Sequence, residues 1–123
     1  MIDDEELIID VAQAMLERLG YRVVVCMGGH EAVKMITDMG DEIDLVILDM
    51  IMPGMDGGTT FDCIRRNYPD MPVILSSGYA INGQADNIIR RGCNGFIQKP
   101  YNISELSQKI RKVLDESKGS AQQ

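Results

Sequence analysis

Asp49 closes the apolar run Ile43-Asp44-Leu45-Val46-Ile47-Leu48 and is followed at once by Met50-Ile51-Met52-Pro53-Gly54-Met55-Asp56-Gly57. Such a run reads as a buried parallel strand, and the Pro/Gly-rich stretch after it as a tight loop. A carboxylate there stands at the carboxyl edge of a sheet, where open α/β folds bind their ligands. Asp3 and Asp4 near the start of the chain add hard oxygen donors, and Lys99, before Pro100, ends a later β-rich run. The chemistry this set suits is phosphoryl transfer to Asp49. A divalent cation must shield the acceptor from an incoming phosphate, because two anions repel strongly in a partly desolvated pocket. Asp3, Asp4 and Asp49, with a loop carbonyl, suit Mg²⁺, which keeps several waters and takes only one or two carboxylates. Lys99 can neutralise the phosphoryl oxygens from the other side, and a hydroxyl from Ser76 or Ser77 can meet the remaining one. Catalysis in such a site is mostly positioning and electrostatics.

Each piece has a plainer reading. An aspartate after a strand is often a turn or helix cap. Asp3-Asp4-Glu5-Glu6 is also an acidic first turn, favoured by the helix dipole. Lys99 alone could be an ordinary exposed lysine. The pieces gain meaning together, at matched strand ends. His30, the single histidine, reads as a solvated surface residue, and no paired cysteine or second histidine offers a zinc site. Gly28-Gly29 lacks the spacing of a dinucleotide or P-loop fingerprint. Met50, Met52 and Met55 could form an adaptable contact surface near the site.

The elements that must position these groups alternate between short β-rich runs and longer helical stretches, the pattern of βαβ units and a parallel sheet. Leu7, Ile8, Val11, Ala14, Met15 and Leu19 recur at helical spacing, with Gly20 as the stop. Residues 21–26 read as a strand. A helix after Gly28-Gly29 carries Ala32, Val33, Ile36 and Met39 inward and ends at Gly40. Strands are expected over 43–49, 72–77 and 95–98, and helices over 58–67 and 84–91. The last helix starts at Asn102, with Glu105 completing a capping box and Ile103, Leu106, Ile110, Val113 and Leu114 facing inward. Only Met1 and Ile2 precede the acid pair, where a strand is expected, so residues upstream are expected to complete it.

The chain has 123 residues, 45% of them apolar and 25% charged, enough for one domain with a real core. A net charge of −7 without a Lys/Arg stripe argues against a nucleic-acid surface. No apolar stretch approaches a membrane span and no signal peptide is visible. Cys26, Cys63 and Cys93 are odd in number and widely spaced, so they read as reduced thiols in a cytoplasmic protein.

Asp3-Asp4, the run from Asp49 to Gly57, Pro72-Val73-Ile74-Leu75-Ser76-Ser77-Gly78 and Gly95-Phe96-Ile97-Gln98-Lys99-Pro100 together resemble the receiver domain of bacterial two-component response regulators. The likeness runs from Ile2 to about Glu116, which sets a domain at 1–116 and a polar tail or linker start at 117–123. It implies a flavodoxin-like, doubly wound α/β fold: a five-stranded parallel sheet of order 2-1-3-4-5 with helices on both faces, its first strand largely absent from this chain. It implies that Asp49 takes a phosphoryl group from a histidine kinase, or from a histidine phosphotransfer domain, with Mg²⁺ bound by Asp3, Asp4, Asp49 and the Ile51 carbonyl. Lys99 and Ser77 then contact the phosphoryl group. Ser77 is preferred to Ser76 because it lies five residues after Pro72 and fifteen before Gly92. Ser77 and Phe96, three before Lys99, form the switch, with Gly78 leaving room for it. The switch reshapes the face of the fourth helix, fifth strand and fifth helix, which serves a downstream output domain or partner and is a candidate homodimer surface. The domain itself is then no turnover enzyme, although it assists its own phosphorylation and dephosphorylation, and its parent could be a hybrid kinase or a larger regulator. Ile51 and Tyr79 are bulky where water would reach the phosphoryl group, which suggests a long-lived phosphorylated state. Two other classes compete. An aspartyl phosphohydrolase wants a second carboxylate where Ile51 stands. A flavodoxin-like binding protein wants a Ser/Thr/Gly phosphate loop where Asp3-Asp4-Glu5-Glu6 would repel phosphate.

Overall fold

The computed structural model describes residues 1–3, 5–50, 57–78, 83–99 and 101–122, with the backbone alone at 83–85 and 117–122. The order is α1 (Glu6–Arg18), α2 (Gly29–Met39), a 3₁₀ turn (Gly40–Glu42), β1 (Val46–Asp49), α3 (Gly57–Asn67), β2 (Val73–Ser77), α4 (Gly83–Arg90), β3 (Gly95–Gln98) and α5 (Ile103–Gln122). The three strands run parallel in the order β1-β2-β3. Every residue of β1 and β2 is buried, as the unbroken apolar runs require when helices cover both faces.

The two faces separate cleanly. Val46, Leu48, Val73 and Leu75 pack against Ala32 and Ile36 of α2, Phe61 and Ile64 of α3 and Ile88 of α4. Ile47, Ile74 and Ile97 pack against Ala12 and Leu16 of α1 and Leu106, Ile110 and Val113 of α5. Strand pleating explains the alternation, since successive side chains point to opposite faces. The doubly wound α/β expectation is met.

The sheet continues beyond β1 through single residues. Ile2 forms parallel bridges with both Leu48 and Cys26, so the spatial order is Cys26, Ile2, β1, β2, β3. This is the expected order 2-1-3-4-5, with the first two positions reduced to one bridge each. Residues 21–26 are therefore not the strand that their composition suggested; Cys26 alone pairs. β-branched residues form a strand when a neighbour offers a backbone ladder, and among the described residues the ladder beside this run is limited to Met1 to Asp3. Likewise β1 begins at Val46 and not at Ile43.

α1 turns a different face inward from its most obvious apolar row. Ile9, Ala12 and Leu16 are buried, whereas Leu7 is 82% exposed, Val11 61% and Leu19 54%. The helix is apolar on two sides, and periodicity alone does not say which one meets the sheet. Its end is a Schellman motif: Gly20 N–H donates to Glu17 at 3.0 Å and Tyr21 N–H to Leu16 at 3.1 Å, with Gly20 at φ 98°. α5 starts as expected, with Glu105 N–H on Asn102 Oδ1 at 2.8 Å and the Asn102 amide on Glu105 Oε1 at 3.0 Å. It runs on to Gln122, so the polar segment expected as a tail is helical; it contains no proline to stop propagation. At the opposite edge from the site, the Arg65 guanidinium ties loops together, donating to Pro69 O and Met71 O at 2.7 Å and to Gly92 O at 3.0 Å.

Beside Met1 lies a cleft of about 890 Å³, lined by Tyr21, Val23, Leu45, Ile47, Ile110 and Leu114 among others. The Met1 ammonium donates to Val24 O at 2.8 Å, and burial lowers its pKa below the usual amine range. An amide in its place would keep the bond and shed the charge. Four alternating apolar residues fused ahead of Met1 are therefore expected to fill the cleft as a parallel strand and raise the melting temperature by roughly 10 °C. Circular dichroism melts against an Asp/Gly extension of equal length check this; equal melting temperatures would rule it out.

Candidate functional site

The site is assembled at the carboxyl edge of the sheet by backbone ties on either side of each functional residue. Ile2 is clamped to β1, its N–H on Ile47 O at 2.7 Å and its carbonyl accepting from Asp49 N–H at 2.8 Å. Asp3 N–H binds Cys26 O at 3.1 Å, so the short Met1–Asp3 segment delivers its carboxylate beside that of Asp49. Past β1, Met50 N–H donates to Ser76 O at 2.9 Å. Lys99 follows β3 directly and its N–H donates to Ser77 O at 2.7 Å, which fixes where the side chain starts.

The side chains converge on the lysine. Lys99 Nζ lies 2.8 Å from Asp3 Oδ2, 3.0 Å from Glu5 Oε1 and 3.4 Å from Asp49 Oδ1. Asp3 is 2% exposed, Asp49 5% and Lys99 9%, so this is a buried ion network and not a surface pair. Burial pulls the Lys99 pKa down, but bonds from Asp3 and Glu5 and the charge of Asp49 outweigh it and hold the ammonium above the usual lysine range. Asp3 has both oxygens engaged, Oδ2 by Lys99 and Oδ1 by the Glu5 N–H at 2.9 Å.

Asp3, Glu5 and Asp49 offer carboxylate oxygens that all lie within 4.8 Å of one another. Ligands on opposite sides of an octahedral Mg²⁺ are about 4.2 Å apart, twice the metal–oxygen distance, so a small contraction is enough. The hard, anionic donor set fits that ion. Glu5 is the residue that sequence reasoning missed as a site member: it was read only as part of an acidic first turn, although its place two after Asp3 was a usable signal. Asp4, Ile51 and Tyr79 lie outside the described residues.

Ser77 and Ser76 are both 1% exposed at the end of β2. In register Asp49 stands opposite Ser76, and Ser77 opposite Gln98. Among the described residues Ser76 Oγ has no hydrogen-bond partner, a costly state for a buried hydroxyl. Phe96 sits half-buried on β3 opposite Leu75, packed against the α2–α3–α4 face. Gly57 also proves structural to the site. A Cβ there would lie 2.7 Å from Met50 O and 2.8 Å from Asp49 O, so only glycine lets α3 start against the end of β1.

A doubly wound α/β sheet with an aspartate, a second buried acid and a lysine at its carboxyl edge defines a phosphoacceptor module. The response regulator receiver domain family matches residues 1–111, and the chain belongs to that family. It is 31% identical to the sensor kinase CckA of Brucella abortus, over 94% of this chain and 12% of the kinase. Among solved structures, the receiver domain of NtrX from Brucella abortus is 30% identical with a TM-score of 0.85, covering 93% of this chain and 95% of that one. The CheY-like receiver domain protein of Methanospirillum hungatei is 28% identical with a TM-score of 0.89, covering 97% and 94%. The chain spans between 12% and 50% of the length of the first curated relatives it matches. Its role is that of a phosphoacceptor signalling domain in two-component phosphorelay. Among the described residues no helix is long and apolar enough to cross a membrane.

Replacing Lys99 by methionine strands two buried carboxylates without a counter-charge, and is expected to cost about 3 kcal/mol at neutral pH. Urea titrations check this; the loss should shrink as Mg²⁺ is added, because the metal neutralises the carboxylates. In the wild type the raised Lys99 pKa sets its own pH window. Its contribution is complete below the ordinary value of 10.5 and fades only as the pH climbs beyond it, so between pH 6 and 9 stability should not respond to this group. A Lys99→Met variant as stable as wild type at pH 7 would refute the network's role.

Proposed function

We propose that Asp49 accepts the phosphoryl group, that Asp3, Asp4 and the Ile51 carbonyl join it around Mg²⁺, and that Lys99 and Ser77 receive the phosphoryl oxygens. The observation that carries this reading is the approach of Lys99 to both Asp3 and Asp49 in a buried cluster. In the transfer, an Asp49 Oδ attacks phosphorus, the N–P bond of a phosphohistidine breaks, and the imidazole leaves with the electron pair and takes a proton. Bound Mg²⁺ supplies charge neutralisation and orientation for the phosphoryl oxygens. Lys99 contributes a fixed positive charge whose elevated pKa keeps it ionised across the physiological range.

The switch belongs to the same proposal. Ser77 moves its hydroxyl toward the phosphorylated Asp49 and Phe96 turns inward into the space vacated, reshaping the α4–β3–α5 face. That face meets the output domain or a partner protein, and is a candidate for self-association. The donor is a sensor histidine kinase or histidine phosphotransfer domain, the setting is the cytoplasm, and the parent is a hybrid kinase or a regulator with its own output domain. The domain contributes to its own dephosphorylation without being a turnover phosphohydrolase: in the sequence, the position two after Asp49 is Ile51 and not a carboxylate.

Incubation with acetyl phosphate and Mg²⁺, followed by mass spectrometry, is expected to add one phosphoryl group to the wild type and none to Asp49→Asn. A phosphorylated Asp49→Asn protein would overturn the assignment, and multiple turnovers of p-nitrophenyl phosphate would favour a hydrolase. Ser77→Ala should uncouple phosphorylation from the change at α4–β3–α5, read by amide chemical shifts, whereas Ser76→Ala should not. The reverse result would transfer the switch to Ser76.

A further inference from the structure

Glu5 is the member of the cluster that the functional reading leaves without a task. As the N-cap of α1 it makes no side-chain bond to the helix, so its carboxylate is not spent on capping. Instead it reaches Lys99 Nζ at 3.0 Å. Its side chain is 56% exposed, against 2% for Asp3 and 8% for Lys99. A half-exposed carboxylate is a weak source of stability, because solvent screening and side-chain entropy cancel most of the attraction. Its contact with the lysine therefore calls for a reason other than folding.

Competition supplies one. Mg²⁺ needs oxygens of Asp3 and Asp49, and Lys99 now takes Asp3 Oδ2 at 2.8 Å and faces Asp49 Oδ1 at 3.4 Å. An ammonium and a divalent ion cannot share those oxygens without severe like-charge repulsion. Yet the lysine must remain close by to meet a phosphoryl oxygen. We propose that Glu5 is a positioning residue that parks Lys99: when the metal claims Asp3 and Asp49, the ammonium stays on Glu5, over the site and off the metal's oxygens. This rests on the phosphoacceptor reading and adds a residue to it. Without Glu5 the lysine falls back onto Asp3 and Asp49, and the metal must displace it.

Calorimetric titration of Mg²⁺ into wild type, Glu5→Gln and Glu5→Asp tests the idea, followed by acetyl phosphate rates measured across Mg²⁺ concentrations. Both variants are expected to bind Mg²⁺ roughly fivefold to tenfold more weakly, with the half-maximal phosphorylation rate reached at correspondingly higher Mg²⁺. Glu5→Asp is the discriminating case, since it keeps the charge but is one methylene too short to hold the lysine. If Glu5 served only as an extra negative charge, Glu5→Asp would bind Mg²⁺ as the wild type does; that outcome sinks the parking role, and so does wild-type affinity in both variants. A wild type that takes up neither Mg²⁺ nor phosphoryl would remove the phosphoacceptor reading and this inference with it. Normal wild-type uptake with an unaffected Glu5→Asp removes only the role of Glu5.

Discussion

Gathering carboxylates in a buried place is unfavourable, and the structure around the sheet's carboxyl edge is organised to make it tolerable. Asp3 and Asp49 are almost fully enclosed, and their mutual repulsion is offset by Lys99, whose ammonium contacts both. A buried charge without a partner costs several kcal/mol, so each member of the network constrains where the others can be. The lysine must therefore start from a fixed point. Its backbone tie to Ser77 O, immediately after β3, supplies that point. Acids and lysine come from sequence-distant segments, and the parallel sheet brings those strand ends to one edge.

The same dependence explains features remote from the chemistry. The Met1–Asp3 segment has only three residues, yet it is hydrogen-bonded to Cys26 on one side and to Ile47 and Asp49 on the other. Those bonds hold Asp3 in place. Gly57 lets α3 approach the backbone of Asp49 and Met50, with its N–H donating to Met50 O at 2.9 Å. A methyl group there would press on the carbonyl of Asp49 itself.

Much of this was legible in the sequence because it rests on local chemistry. Unbroken apolar runs ending in Asp49 and Ser77 identified strands buried on both faces, and Asn102 with Glu105 marked the start of α5. Asp3, Asp49 and Lys99 could be grouped because strand ends share an edge. What was not legible depends on partners. Residues 21–26 have strand composition but no ladder to join beyond Cys26. α1 carries two apolar rows, and only packing decided that Ile9, Ala12 and Leu16 turn inward while Leu7 and Val11 face out. Glu5 looked like one acid in an acidic turn; its meaning comes from Lys99, 94 residues later in the chain. The hydroxyl assignment depends on register: spacing favours Ser77, while Asp49 stands opposite Ser76.

Charge balance links the resting network to its task. Among the described residues, Asp3, Glu5 and Asp49 outweigh Lys99, so the cluster stays net negative and attracts a cation. On the phosphoacceptor reading, the lysine holds the acids together at rest and stays on Glu5 when a metal claims Asp3 and Asp49. Had the cluster been neutral at rest, a metal would find little to attract it. Had it lacked the lysine, the acids would repel one another and open the strand ends that carry them. A pre-formed but underneutralised pocket avoids both failures, since the geometry is already set and the remaining charge is what the metal supplies. The strength of the ion network at rest and the affinity for the metal are consequently opposed quantities, and half-exposed Glu5 is the member of the described cluster whose charge can shift between them at little cost to the fold.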